Sequence, residues 1–285
     1  MSIQIEGLSY KYDPETPFET MALDDVDLTI EKGSICGIMG RTGCGKSTLI
    51  QLIAGLYPPD RGRILIDGED INAPGYDRND LRKKLGIVFQ YPESQLFETT
   101  AYKDVAFGLK HSGLTDKEKD ENIKWALKAT GFDPEEIKDK SPLGLSGGEK
   151  RRLAIAGVLA VKPDYLVLDE PIAGLDPAGR KRFISLLKRL NKSGVTIIMV
   201  THNADAVAEC ADTLVVMKKG RVEVTGNIHD VLSKRNVLKE SGVDTSTAAG
   251  LSDVLAEKGI LNESKAITIE ELVSDIIAVL EGEKA

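Results

Sequence analysis

The 285-residue chain has little of several residue types that mark particular classes of protein. It has only three widely separated cysteines, which excludes a disulfide framework or a zinc site built on cysteine pairs. Lysine and arginine total 37 against 45 acids, a formal charge of −8, so the positive excess typical of nucleic-acid binders is missing. We therefore expect reduced thiols, a cytosolic setting and no nucleic acid partner.

Long apolar runs are also missing. The longest uninterrupted one, residues 195–200, is far shorter than the roughly 18–20 residues that cross a bilayer. The N-terminus does not have the basic segment and apolar core of a secretion signal. We expect that any action of this protein at a membrane goes through a partner.

Short apolar runs alternate with helical patterns, which predicts an α/β domain with a largely parallel, buried sheet. From about residue 91 to 150 the chain is charged and poor in strand signals, so we predict an inserted helical subdomain there. A polar, Ser/Thr-rich stretch at 240–249 separates a tail. We place one domain at 1–240 and a C-terminal helical extension at 241–285.

The tail carries its own helix signal. Thr268 and Glu271 have the spacing of a capping box. Apolar residues at helical spacing follow: Ile269, Leu272, Val273, Ile276, Ile277 and Leu280. Two interpretations stay open, a helix that packs on its own domain and a helix that contacts another subunit of a dimer.

Residues 40–47 read GRTGCGKS and fit the pattern G-x-x-x-x-G-K-[ST], between an apolar strand and a helix. Such glycines let backbone N–H groups turn toward phosphate oxygens, and the helix start adds positive charge. Lys46 should reach the β- and γ-phosphates, and the Ser47 hydroxyl should bind Mg²⁺. Because Cys44 lies in the loop, we expect activity to be sensitive to thiol alkylation. The predicted ATP-binding residues here are Gly40, Arg41, Thr42, Gly43, Cys44, Gly45, Lys46, Ser47 and Thr48.

A second motif is the apolar run at 165–168 that ends in Asp169 and Glu170. Two adjacent buried carboxylates are costly unless a cation or a proton transfer requires them. We expect Asp169 to bind Mg²⁺ through water and Glu170 to polarise the water that attacks the γ-phosphate. His202, after another apolar strand, is a candidate γ-phosphate sensor.

The segment LSGGE at 145–149 opens a further helix, where Ser146 is a good cap and Gly147 and Gly148 expose N–H groups. The chain then has two anion sites but one set of acids. Either two nucleotides bind per chain, or each nucleotide uses one site from each of two chains. The second alternative explains the single set of acids, so we favour it.

The order GRTGCGKS, Gln90, LSGGE, LVLDEP, Gly174-Leu175-Asp176 and Thr201-His202 resembles the ATP-binding cassette (ABC) proteins over about residues 1–230. This resemblance implies a P-loop NTPase fold with a RecA-like core, an antiparallel β subdomain, a helical subdomain and a C-terminal helical tail. It implies a head-to-tail dimer in which residues 146–149 close over ATP held by the other subunit's Lys46. It further implies that Gln90 binds the metal and links its site to the membrane partner, and that Asp176 makes a contact across the dimer. Tyr12 matches the aromatic residue that stacks on adenine, with Tyr10 as the rival.

The stretches around Asp13 to Glu19 and Pro92 to Glu98, and the tail sequence ILNESKAITIEELV, resemble the second ATPase subunit of energy-coupling factor importers. The resemblance implies ATP hydrolysis that powers uptake of vitamins or metal ions at the cytoplasmic face of a bacterial membrane. The implied partners are a second ATPase subunit, a transmembrane scaffold and a substrate-binding membrane subunit. The heterodimer is favoured and the homodimer is the alternative.

Departures from the family pattern are small. Glu149 replaces the commoner glutamine and Ile172 replaces a threonine or serine, and neither change removes a catalytic group. The competing classes are an ABC ATPase that acts on DNA or ribosomes, and a nucleotide switch without turnover. The acidic balance and the single cassette argue against the first, and retention of Glu170 and His202 argues against the second.

Overall fold

The computed structural model describes residues 2–110, 112–261 and 265–282, whose strands form two sheets. The strands are β1 Ser2–Tyr12, β2 Thr20–Glu31, β3 Ile35–Gly40, β4 Arg61–Ile66, β5 Glu69–Asp70, β6 Leu85–Val88, β7 Tyr165–Asp169, β8 Thr196–Val200, β9 Thr213–Lys218 and β10 Arg221–Asn227. The helices are α1 Lys46–Ile53, α2 Arg78–Lys84, α3 Ala101–Phe107, α4 Asp116–Ala129, α5 Pro134–Ile137, α6 Gly147–Leu159, α7 Pro177–Lys192, α8 Ala204–Cys210, α9 Ile228–Leu232, α10 Arg235–Glu240, α11 Thr247–Glu257 and α12 Ile269–Gly282. This alternation confirms the predicted α/β class.

The larger sheet has the strand order β10-β9-β3-β8-β7-β6. Strands β9, β3, β8, β7 and β6 run parallel, and β10 turns back antiparallel to β9 at one edge. Every residue of β3 and β8 is buried, as expected for strands that other elements cover on both faces. The carboxyl ends of β3, β8, β7 and β6 therefore meet at one edge, where open parallel sheets bind their ligands.

The smaller sheet is antiparallel, in the order β2-β1-β4-β5. Alternate residues along most of β2 are buried, which is the pattern of a strand with one face toward a core. That core includes Ile5 of β1, Leu49 of α1 and Ile198 of β8. Helix α1 is thus held by both sheets at once, and this fixes the loop that precedes it.

Residues 91–150, described except for His111, contain α3, α4, α5 and the start of α6 but no strand. Helix α4 begins with a complete capping box, in which Thr115 and Glu118 bond each other's backbone N–H. Val105, Leu127 and Leu153 belong to the same core as Leu168 of β7, so these helices pack against the larger sheet. The bounds of a separate subdomain stay a prediction.

Several short helices do not follow from the sequence patterns. Residues 241–246 are not helical and join α10, which ends at Glu240, to α11, which begins at Thr247, so a domain boundary within 240–249 stays a prediction. Ser246 caps α11 and is 1% exposed, and Ala248 and Ala249 are buried beside it. Small and hydroxyl residues look like a loop in sequence, but here they allow close packing and cap a helix.

The helix α12 has the predicted capping box, since Thr268 Oγ1 accepts from the N–H of Glu271 and the Glu271 carboxylate accepts from the N–H of Thr268. Leu272 is buried in a small core with Leu261 and Ala266. The other half of its apolar face is 47–55% exposed: Ile269, Val273, Ile277 and Leu280. Packing on its own chain therefore accounts for one part of this face, and a dimer contact through the other part stays a prediction. Residues 262–264 of the tail lie outside the described residues.

No helix in the described ranges is long and apolar enough to cross a bilayer. This agrees with the short apolar runs of the sequence.

Candidate active site

The loop at 40–45 connects the end of β3 to the start of α1. The backbone conformation of the loop requires glycine at two positions, because Gly40 and Gly45 have φ of 154° and 104°. A Cβ at Gly45 would lie 2.5 Å from the Ala22 carbonyl oxygen, and one at Gly40 would lie 2.4 Å from the Met217 carbonyl oxygen. The loop is therefore pressed against β2 and β9, and its backbone is held in one shape.

Lys46 folds back over this loop. Its Nζ donates to the Gly40 carbonyl oxygen at 2.7 Å and to the Arg41 carbonyl oxygen at 3.2 Å. The Cys44 thiol is 5% exposed, so alkylation requires the loop to open and the predicted sensitivity stays a prediction. Arg41, Thr42 and Gly43 are exposed, which leaves the outer side of the loop free to meet a ligand.

Ser47 and Asp169 meet although they are far apart in the sequence. The Ser47 hydroxyl donates to Asp169 Oδ2 at 3.4 Å, because β7 ends beside the start of α1. Burial, followed by the charge of Glu170, raises the pKa of Asp169. A carboxylate in this setting gains from any cation that approaches it.

Glu170 is held in an unusual backbone conformation, with φ of 48° for a residue that has a Cβ. Its Oε1 lies 3.0 Å from His202 Nδ1, and the Thr201 hydroxyl donates to its Oε2 at 3.2 Å. The His202 side chain is 77% exposed and the Glu170 side chain 15%. The carboxylate is thus aimed by two neighbours from the end of β8.

These groups line one pocket of about 480 Å³. The predicted site residues that line it are Tyr12, Thr42, Gly43, Gly45, Lys46, Ser47, Thr48, Gln90, Asp169, Glu170 and His202. The ends of three parallel strands supply polar side chains to this pocket, which explains why segments so far apart in sequence converge here. Gln90 follows β6, Asp169 ends β7 and His202 follows β8.

Tyr12 lies at one wall of this pocket. Its hydroxyl is 3.1 Å from Thr48 Oγ1 and donates to Gln51 Oε1 at 3.3 Å. The ring meets Tyr10 edge-on, with 5.1 Å between centroids. Tyr10 packs against the core under the smaller sheet, so Tyr12 has the more open ring face of the two.

The second predicted anion site lies elsewhere on the chain. Ser146 Oγ accepts from the N–H of Glu149, while Glu149 Oε2 accepts from the Ser146 N–H at 2.9 Å and from its hydroxyl at 2.6 Å. These hydrogen bonds from Ser146 lower the pKa of Glu149. Gly147 and Gly148 are exposed, with no atom within 4 Å of where a Cβ would be.

The cleft beside this helix start, about 710 Å³, shares no described residue with the pocket around Lys46. Asp176 is also outside that pocket, where its carboxylate caps α7 by accepting from the Gly179 N–H at 2.7 Å. One chain therefore does not bring residues 146–149 and Asp176 to its own Lys46.

The family model described as ABC transporter matches residues 23–173. The energy-coupling factor transporter ATP-binding protein EcfA2 of Clostridium acetobutylicum is 47% identical over 285 residues, the full length of both chains. The chain belongs to the ABC ATPases of energy-coupling factor transporters. As an ABC ATPase it is an enzyme that binds and hydrolyses ATP.

Two solved structures place this ABC ATPase among cassettes of known fold. The cbiO1 protein of Clostridium perfringens, part of the ABC transporter complex cbiONQ, is 41% identical with a TM-score of 0.74, covering 84% of this chain and 93% of that one. The ATP-binding cassette MJ0796, a dimer in a post-hydrolysis state bound to ADP and Pi, is 29% identical with a TM-score of 0.69, covering 79% and 98%. Both likenesses confirm the ABC fold.

One residue of this ATPase that lies behind Glu170 was missed as a functional group. Thr201, fully buried, bonds Glu170 and also accepts from the Asn203 N–H at 3.2 Å. Its place next to His202 at a strand end was the available signal, but sequence alone does not show where a hydroxyl points.

Proposed function

We propose that this ATPase powers an energy-coupling factor importer that takes up vitamins or other micronutrients, and that it works at the cytoplasmic face of a bacterial membrane. One observation carries the proposal: Lys46, the Ser47–Asp169 pair and Glu170 meet in one pocket of a chain that matches an energy-coupling factor ATPase from end to end. The transported substrate is chosen by a membrane subunit, so no residue here selects it.

Lys46 and the loop bind the phosphates of ATP. The Lys46 ammonium exchanges the Gly40 and Arg41 carbonyls for β- and γ-phosphate oxygens. The start of α1, which has no side-chain cap, offers backbone N–H groups to the same anion. Tyr12 offers its ring to the adenine.

The residues present fit Mg²⁺. Ser47 and Asp169 oxygens lie 3.4 Å apart, and Gln90 adds an amide oxygen to the same pocket. These are the hard oxygen donors that Mg²⁺ prefers, with water and phosphate completing its shell. Mg²⁺ held there would supply positive charge opposite the negative charge that develops on the phosphates.

Glu170 takes the proton of the attacking water, as its carboxylate is fixed by Thr201 and His202 but is still open to the pocket. His202 is placed to contact the γ-phosphate once its ring turns from Glu170 to the ligand. Its exposure makes that turn inexpensive.

A complete site then requires a second ATPase subunit, whose residues equivalent to 146–149 and 176 close over the nucleotide. The separation of the two clefts in one chain supports this, as does the dimeric form of the MJ0796 cassette. We favour a heterodimer with a related ATPase.

The transmembrane scaffold docks on a groove formed in part by residues 95–108, which follow Gln90 in the chain. The groove, of about 400 Å³, is lined by Leu96, Phe97 and Phe107, and the two phenylalanine side chains are 63% and 44% exposed. Such exposed aromatic rings beside a concave surface are typical of protein interfaces.

Affinity purification of the tagged chain from detergent-solubilised native membranes, with mass spectrometry of what it retains, tests this function. We expect a multi-span scaffold, a small substrate-binding membrane subunit and a second ATPase. Recovery of ribosomal proteins or DNA-repair factors without membrane proteins would refute the transport role and leave the ATPase activity.

A further inference from the structure

The C-terminal extension is attached to the element that carries His202. At the start of α11, the Thr247 N–H donates to Asp205 Oδ1 at 2.7 Å and the Thr247 hydroxyl donates to Asp205 Oδ2 at 2.8 Å. Both carboxylate oxygens of Asp205 are therefore used by one residue of the extension. Bonds to an ionised carboxylate are the stronger kind, so this contact is a firm one.

Asp205 lies in the first turn of α8, three positions after His202. Asn203 caps the same helix by accepting from the Ala206 N–H at 2.9 Å. The Asn203 N–H in turn donates to Thr201 Oγ1, whose hydroxyl donates to Glu170. A continuous run of hydrogen bonds and short backbone steps thus joins Thr247 to the carboxylate in the ATP pocket.

Contacts with the rest of the fold hold the body of this segment. Helix α8 has 7 residues, too few to be stable alone, and its apolar side chains, Val207 among them, are buried in the same core as Leu168 of β7. Its first turn lies at the edge of that core, where Asp205 is only partly buried. On one side it faces a cleft of about 600 Å³, which runs from Glu170 and His202 past Asp205 to residues 268–270. The His202 ring, 77% exposed, therefore depends on its backbone rather than on packing for its position.

The extension also touches the phosphate loop. Gly242, with φ of 66°, lies so close that a Cβ would be 3.3 Å from Cδ of Arg41. The extension therefore contacts the exposed Arg41 side chain of the phosphate loop as well as Asp205 of α8.

We propose that Asp205 is a positioning residue that clamps the C-terminal extension to the start of α8 and thereby holds Thr201 against Glu170 and the backbone of His202 beside it. The inference rests on the proposed roles of Glu170 and His202. Its consequence is that the hydrolysis step depends on the extension, whereas ATP binding at Lys46 depends on it little. A partner that shifts α11 changes the rate of hydrolysis.

The test replaces Asp205 in the full-length chain, assayed in the complex recovered from membranes. For Asp205→Ala we expect kcat for ATP hydrolysis to fall about tenfold, because a small displacement of catalytic groups is costly, with KM for ATP within about twofold. Asp205→Asn should recover most of the rate, since its amide oxygen accepts from the Thr247 N–H and its NH₂ donates to the hydroxyl. Thr247→Val, which removes one of the two bonds, should cost about threefold and keeps the test valid if Asp205→Ala does not fold.

The matched control is Thr245→Val. Thr245 lies two residues before Thr247, but its hydroxyl accepts from Arg235 Nη1 of α10 at 2.7 Å rather than bonding α8. We expect an unchanged kcat. An equal loss in Thr245→Val, or a wild-type kcat in both Asp205→Ala and Thr247→Val, overturns the positioning role.

Failure of the proposed site has a different result. If Glu170→Gln hydrolyses ATP normally, the assignment of the base is wrong. If Glu170→Gln is inactive while Asp205→Ala and Thr247→Val match the wild type, only the positioning inference is wrong.

Discussion

The N-termini of α1 and α6 are both suited to bind phosphate, but they differ in whether side chains cap their unpaired backbone N–H groups. Helix α1 has Gly45 at its N-cap, with no side-chain cap and no acid in its first turn. Helix α6 has Ser146 and Glu149 in a reciprocal capping box. The first start is left open for a ligand, and the second is stable by itself and open mainly at Gly147 and Gly148.

Their surroundings differ in the same sense. Helix α1 is buried by both sheets and next to both acids, whereas the start of α6 is exposed and outside the pocket that holds them. In the proposed composite site, the firmly held, uncapped start of α1 binds the nucleotide, and the self-capped, exposed start of α6 contacts a nucleotide held by another subunit.

The largest effect is expected from Glu170→Gln, which removes the base but preserves the size of the side chain. Hydrolysis should fall by about a hundredfold or more, and the two helix starts should stay together on unhydrolysed ATP as a trapped dimer. Phosphate release and light scattering with ATP measure the two results. Glu121→Gln on exposed α4 is the control, and a Glu170→Gln chain that stays monomeric in the presence of its companion argues against the composite site.

Lys46→Ala should weaken ATP binding to the single chain on the order of 10–100-fold, because charged hydrogen bonds to the phosphates are lost. A fluorescent ATP analogue titrated onto the isolated chain measures this. Lys117→Ala, an exposed change on α4, should leave binding unchanged. An equal affinity for ATP in Lys46→Ala and the wild type would show that the nucleotide does not bind at the N-terminus of α1.

Ser146→Ala tests the other half of the comparison, and Thr115→Ala is matched to it because both remove the hydroxyl of a capping box. Each should lower the free energy of unfolding by about 1 kcal/mol. Only Ser146→Ala should also reduce hydrolysis by the assembled enzyme, and neither should change ATP binding to one chain. Urea unfolding and the two assays separate these effects, and loss of hydrolysis in both variants would mean that capping alone is responsible.

The smallest effect concerns Asp169, whose raised pKa means that ionisation of this carboxyl destabilises the folded chain. The cost is absent below about pH 4 and complete above the folded-state pKa, so Asp169→Asn should melt about 1–2 °C higher at pH 7 without ligand. The gain should vanish near pH 3, and ATP with Mg²⁺ should stabilise the wild type more than the variant. A lower melting temperature for Asp169→Asn at pH 7 would contradict this.

The sequence predicted those parts of the site whose chemistry requires a local pattern. The phosphate loop, the adjacent acids and the helix start at Ser146 have fixed spacings, because backbone shape or a strand end sets them. The parallel sheet followed from its short, wholly apolar strands, and the ABC class followed from the order of these motifs.

Other features left no local trace. The bond from Thr201 to Glu170 and the contact of Asp205 with Thr247 join residues distant in sequence, and only the fold brings them together. Helices α8 to α11 were missed because they are short or rich in small residues. One part of the apolar face of α12 is packed and the other is exposed, because only one part meets α11. The helical periodicity of the sequence shows the face but not which part of it is covered.

Because ATP binds at the uncapped start of α1 only when the chain is folded, the stability of the fold depends on the concentration of ATP. A ligand that binds only the folded chain adds RT ln(1 + [L]/Kd) to its stability, about 2.7 kcal/mol at a hundred times Kd. In a starved cell this contribution shrinks as ATP falls, and the phosphate loop becomes the part of the enzyme whose local opening grows most. Depletion of ATP would then be registered as faster proteolysis of the subunit as well as slower transport.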